Sequence, residues 1–168
     1  MTVKILNLKN PDTYTGNIKL AADALLSGKI VAFPTETVYG LGVCSDNSAA
    51  IDNLYNVKQR SKDKRLSIMI AKPEEVTKHV KQIPLIAKKL ISAFWPGPLT
   101  IILELDDKST VGLRNPDNRV IRDLINAVEI PIASTSANIS GMAPAIDAQQ
   151  VITNFSEKID IVLDGGPA

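Results

Sequence analysis

Four groups of side chains along this chain are of the types that hold charged ligands. The first lies in KIVAFPTETVYGLG, residues 29–42, where an apolar run ends at Pro34 and is followed by Thr35, Glu36, Thr37, Tyr39, Gly40 and Gly42. The second is a basic run holding Lys58, Arg60, Lys62, Lys64 and Arg65; the third is Ser134-Thr135-Ser136-Ala137-Asn138; the fourth is Arg114, at the end of TVGLR. Guanidinium groups grip carboxylate or phosphate through paired hydrogen bonds, and lysine supplies a mobile point charge. Hydroxyls and the Asn amide add short, directional bonds to phosphate oxygens or to an amino-acid head group. The chemistry open to such a set is stabilisation of charge by position.

A protein nucleophile is not evident. His79 is the one histidine and Cys44 the one cysteine. That count excludes an internal disulfide, a Cys/His zinc site and any Ser-His-Asp or Cys-His unit within one chain. Ser136 therefore has no base to activate it, and Cys44 reads as a small half-buried apolar residue. The chain also lacks G-x-x-x-x-G-K-[ST] and G-x-G-x-x-G, so any nucleotide phosphate is held by other means.

The positioning elements follow from period and punctuation. Residues 30–33 form an apolar run of the kind a strand buried on both faces needs, and Pro34 stops its pairing. The residues after it belong to a loop at a strand's carboxyl end, the usual place for a ligand, with the glycines read as turn residues. Further strands are expected at 3–6, 66–71, 99–105, 110–114, 131–133 and 160–163. A helix capped by Asn17 carries Ile18, Ala21, Ala22, Leu25 and Leu26 to Gly28. Asp46 or Ser48 caps a second helix, which leaves Lys58 and Arg60 at its carbonyl end. Lys72-Pro73-Glu74-Glu75 reads as another helix start. A helix from Pro84 to Phe94 is broken by Trp95-Pro96-Gly97-Pro98. One more spans about 117–128, and Asp147 caps the last, through Phe155. About six strands and five or so helices, partly alternating, predict a mixed sheet with helices against it.

The 168 residues suit one domain, with apolar and charged shares of an ordinary globular protein. No apolar run approaches the roughly 20 residues of a membrane span. The polar start MTVKILNLKNPD does not fit a signal peptide, so a cytoplasmic chain is expected. Net charge is +1, yet residues 58–89 hold ten Lys/Arg against three acids. Such a basic sector suits a polyanion, nucleotide phosphate or RNA.

Five of these pieces resemble the YrdC family, the threonylcarbamoyl-adenylate synthases: IVAFPTETVYGLG, Lys58-x-Arg60, WPGPLT, TVGLR and Ser136-x-Asn138 within STSANISG. They fall in the family's order and approximate spacing. The resemblance implies an α/β (α+β) protein: a twisted mixed β-sheet of the YrdC/RibB-like kind flanked by helices, with a large, basic concave cavity, as a single domain over 1–168. It implies that ATP, L-threonine and bicarbonate become threonylcarbamoyl-AMP and diphosphate, with Mg²⁺ assisting, to supply threonylcarbamoylation of adenosine next to the anticodon of tRNA. On that pattern Thr37, Arg114 and Ser134 hold threonine. Lys58, Arg60, Lys64, Thr110, Ser136 and Asn138 hold ATP, with Lys58 and Arg60 closest to the chemistry. Implied partners are tRNA or double-stranded RNA and other tRNA threonylcarbamoylation proteins, with no membrane. The chain departs from the pattern at Ser61, where members have proline, and at Met69, where many have histidine. Members usually continue past the Asp164-Gly165-Gly166-Pro167 turn into a Ser-Thr strand that closes over the nucleotide.

Two other readings are weighed beside this one. A non-catalytic tRNA- or rRNA-binding translation or ribosome-maturation factor would use the same cations, though the chain has few aromatics to stack bases. A related carbamoyl-adenylate or carbamoyltransferase enzyme would use another acceptor.

Overall fold

The computed structural model describes residues 3–168, so Met1 and Thr2 of the domain expected over 1–168 lie outside the described residues. The elements in chain order are β1 (Lys4–Asn7), α1 (Pro11–Leu26), β2 (Val31–Phe33), β3 (Gly40–Cys44), α2 (Ser48–Lys58), β4 (Ser67–Met69), α3 (Leu85–Phe94), β5 (Ile101–Glu104), β6 (Thr110–Arg114), α4 (Arg119–Val128), β7 (Ile132–Ser136), α5 (Ala148–Phe155) and β8 (Ile161–Asp164). Short 3₁₀ turns occupy Pro73–Lys78 and Ser156–Lys158. All eight strands form one sheet in the order β1-β8-β2-β3-β7-β4-β6-β5. Pairing is parallel for β1–β8, β8–β2 and β4–β6, and antiparallel for the other four pairs, so the sheet is mixed as expected.

The sheet has one strand more than the seven ranges read from the sequence, because β3 falls where a glycine turn was read. Gly40 and Gly42 sit inside a fully buried strand, opposite Phe33 and Val31 of β2 and opposite Ser136 and Ser134 of β7. Their φ angles are not positive, so they serve space and not turn freedom. A Cβ on Gly40 would stand 2.8 Å from the Phe33 ring, and one on Gly42 would stand 2.5 Å from Ile132 Cγ2 and 2.8 Å from Phe33. The ring lies across its neighbour strand where only glycine leaves room.

Helix starts also moved. α1 begins at Pro11 under Asn10, whose side chain accepts from the Asp12 amide at 3.0 Å. Asn17 lies inside this helix and donates to the Asn7 carbonyl at 2.8 Å. For α2 the cap is Asn47, accepting from Ala50 N at 3.0 Å, in place of Asp46 or Ser48. Residues 73–78 form a 3₁₀ turn, with Pro73 at its start and Glu75 accepting from the Ala71 and Lys72 amides.

Paired residues share a sheet face, and the two faces are covered unequally. One face carries Ala32, Leu41, Ala133, Ile68, Leu113 and Ile101 and is buried under α2 and α5 at one end and α3 with residues 73–78 at the other. The opposite face carries Val31, Phe33, Cys44 and Ile132, packed beneath α1 and α4, which also pack on each other. Further along that face the row runs Ser134–Ser67–Gly112–Ile102. Here the cover stops: Ile102 is 70% exposed. Small polar residues floor this open half, because nothing apolar is needed where no helix packs.

Candidate active site

A hollow of about 90 Å³ opens over this uncovered half. Ser67, Met69, Arg114, Ser134 and Ser136 contribute from the sheet, Thr100 from the residue before β5, and Thr35 and Val38 from the loop between β2 and β3. Phe33, Gly40 and Ser136 are paired in one row, so the 34–39 loop and the residues after β7 emerge at the same edge. The loop then arches along the open face. Thr35 shapes it from inside: its hydroxyl donates to the Val38 carbonyl at 2.7 Å and accepts from the Thr37 and Val38 amides at 3.2 and 3.3 Å. The arch ends on Arg114.

Arg114 Nη2 donates to Glu36 Oε1 at 2.8 Å and to Thr37 Oγ1 at 3.2 Å, while Nε donates to the Gly97 carbonyl at 3.4 Å. Two residues of the loop and one of the Trp95-Pro96-Gly97-Pro98 turn thus hold one guanidinium, and among the described residues no acceptor takes either Nη1 hydrogen. Neighbouring Asn115 is fully buried and ties the same turn down. Its carbonyl accepts from Gly97 N at 2.8 Å, and its amide donates to the carbonyls of Ile70 and Ala71.

At the other end of the hollow, Lys58 is 1% exposed although it ends a helix. Its ammonium donates to the Ser136 carbonyl and, at 3.1 Å, to Asn138 Oδ1. With no carboxylate beside it, burial pushes its pKa down to about 8, and the charge of Arg60 pushes the same way. Ser136 Oγ also donates to Asn138 Oδ1, at 2.5 Å, and the Asn138 amide donates to the carbonyls of Ile139 and Met142. Lys58 ends α2 as its place in the sequence implied, but its ammonium is withdrawn from solvent. The loop after β7 fills the space that water would occupy.

Arg60 bends back on its own loop, donating to the carbonyls of Lys64 at 2.8 Å and Arg65 at 3.0 Å. Tyr55 OH donates to the same Lys64 carbonyl. Arg65 reaches across to the Thr110 carbonyl at 2.6 Å, which joins the basic loop to the start of β6. Lys64 is exposed. The hollow's lining therefore includes Arg114, Ser134 and Ser136 of the residues singled out from the sequence; Thr37, Lys58 and Asn138 are one hydrogen bond away. Arg60, Lys64 and Thr110 stand outside the lining. Sequence reasoning gave no role to Glu36 or Asn115. The acid between two hydroxyls in Thr35-Glu36-Thr37 and the Asn-Pro after Arg114 were the available signals.

The model of the Sua5/YciO/YrdC family, described as "Telomere recombination", matches residues 23–168. The chain belongs to this family. A relative from Pyrococcus abyssi named threonylcarbamoyl-AMP synthase is 40% identical over 158 residues, which are 89% of this chain and 46% of the relative. Another with that name, from Vibrio parahaemolyticus, is 32% identical over 89% of this chain and 86% of its own length. The crystal structure of Pyrococcus abyssi Sua5 complexed with L-threonine superposes with a TM-score of 0.90 and 36% identity, over all of this chain and 51% of that one. The chain spans about half the length of the first curated relatives it matches. The mixed eight-stranded sheet flanked by helices is the fold that the Sua5/YciO/YrdC resemblance implied.

Proposed function

We propose that this chain, read as a single domain over residues 1–168, is an L-threonylcarbamoyladenylate synthase of the cytoplasm, a nucleotidyltransferase acting on ATP. The observation that carries this reading is the hollow itself, with a held but half-free guanidinium at one end and a buried, under-solvated lysine at the other. Arg114 Nη1 offers its two diverging N–H groups to the α-carboxylate of threonine, with Thr37 and Ser134 beside it. Lys58 and Ser136, with Arg60, Lys64 and Thr110 from the rim, face the triphosphate, and Asn138 braces the loop that presents them.

In this reading the threonine amine and bicarbonate give a carbamate with loss of water. A carbamate oxygen attacks the α-phosphorus of ATP, the bond to the β-phosphate breaks, and diphosphate leaves. The chain's contribution is alignment and cationic charge along the phosphates, which is how phosphoryl-type transfers are accelerated without a protein nucleophile. Hydroxyl oxygens on the floor are hard donors of the kind that suit a magnesium carried in on the triphosphate. When bound, it would draw charge off the departing diphosphate.

The test is diphosphate release from ATP, assayed with and without L-threonine and bicarbonate. Release that needs both supports the reading; RNA binding with no release, or release with another amine only, refutes it. Arg60→Ala is expected to lower kcat/KM by about 2 to 3 kcal/mol in transition-state terms, as for other charged donors at such sites. Unchanged adenylate formation in that variant would count against the role given to the basic loop. Transfer of the product to tRNA, by direct contact or with partner proteins, belongs to the same proposal.

A further inference from the structure

We infer that Glu36 is a positioning residue for Arg114, and that through it Glu36 sets affinity for the carboxylate of the amino-acid substrate. The inference rests on the reading of Arg114 given under Proposed function. Glu36 and Arg114 are a nearly buried pair, their side chains 18% and 13% exposed, joined at 2.8 Å. Each of the other ion pairs among the described residues has at least one side chain 57% exposed or more. Pairs in water contribute little, whereas a desolvated one fixes geometry.

The division of donors makes the role specific. An arginine has five N–H groups in a rigid plane. Glu36 and Thr37 take the two on Nη2, and the Gly97 carbonyl takes the one on Nε. Three anchors in the guanidinium plane leave the ring-like fork no free rotation, and the two donors that remain are both on Nη1. A ligand carboxylate therefore meets a guanidinium already ordered, and does not bear the side-chain entropy of about 2 kcal/mol that a free arginine would lose. Glu36 is the anchor that supplies opposite charge. Its other oxygen, Oε2, is buried without a partner, so the carboxylate has given up hydration to stand beside Arg114. Gly97 provides the rigid side: a Cβ there would lie 2.3 Å from the Phe94 carbonyl oxygen, so the turn admits only glycine.

Glu36→Gln keeps the shape and removes the charge. The first measurement is the ¹⁵N–¹H spectrum of the arginine side chains in the ligand-free chain, assigned through Arg114→Lys. In the parent, slow rotation about Nε–Cζ gives Arg114 resolved Nη signals; in Glu36→Gln they average. Lys62→Ala, which breaks the exposed pair with Asp52, leaves them unchanged. The second is titration calorimetry with L-threonine, where Glu36→Gln weakens binding about tenfold, as the loss of an ordered donor pair would. In an Arg114→Lys background it adds no further loss, and ATP affinity is untouched. An Arg114 signal indifferent to Glu36→Gln overturns the inference, as does equal weakening of threonine and ATP. If the parent binds no threonine while the Arg114 signals still collapse in the variant, the positioning stands and the assignment of threonine to this site falls.

Discussion

Replacing Lys58 by methionine tests the electrostatic account of the site where it is least expected from a helix-end lysine. The side chain is 1% exposed and its pKa lies at about 8, where an ordinary lysine has 10.5. That gap corresponds to about 3 kcal/mol at 1.36 kcal/mol per unit. Burial disfavours the ammonium, so between pH 8 and 10.5 the unfolded chain binds more protons than the folded one. Stability then rises with pH through that window: the cost is carried in full below pH 8 and is gone above 10.5. Lys58→Met removes the titrating group along with two hydrogen bonds worth about 1 to 2 kcal/mol each. Near pH 7 these losses and the relieved burial roughly cancel, and by pH 10 the parent is the more stable by about 2 kcal/mol. Tyr14 and Tyr39, both pushed up to about 12 chiefly by burial, weaken each protein above pH 10 but drop out of the difference. The assay is urea unfolding at pH 7, 8, 9 and 10, followed by the fluorescence of Trp95, the single tryptophan. Parallel stability curves for parent and variant across this range would refute the claim that folding strips water from Lys58.

Binding of a triphosphate beside Lys58 should draw a proton onto it. Calorimetry with ATP at pH 8, in buffers of differing ionisation enthalpy, is expected to show uptake of about half a proton, vanishing near pH 6.5 where the group is already charged. Gly42→Ala should destabilise the fold by about 2 kcal/mol, because its Cβ would press on Ile132 and Phe33. Gly16→Ala, inside α1 with nothing within 4 Å of the new methyl, should stabilise it by about 0.5 to 1 kcal/mol. Denaturant midpoints moving the same way in both glycine variants would contradict the packing described for β3.

Local punctuation was legible in the chain. Pro34 ends β2 one residue after Phe33, and Pro96 and Pro98 separate α3 from β5. Asp147 caps α5, accepting from Gln150 N at 2.8 Å. The residue types that can hold a charged ligand were readable too, since charge and hydroxyl chemistry travel with the side chain. β3 was not legible, because glycine carries neither strand propensity nor an apolar period. Gly40 and Gly42 become strand residues only once Phe33 and Ile132 are beside them.

What the sequence determined by itself was where elements stop and which side chains could do chemistry, since both follow from one residue and its nearest neighbours. The tertiary structure decided which ends meet. Lys58 became buried only because the loop after β7, almost 80 residues on, closes over it, and Arg114 acquired Glu36 as partner across 78 residues. The open polar half of the sheet was decided in the same way, by α1 and α4 covering one end of a face and no helix covering the other. Burial and pairing depend on neighbours that sequence distance does not order, and it is burial that turned an ordinary lysine and an ordinary acid into the fixed groups of the site.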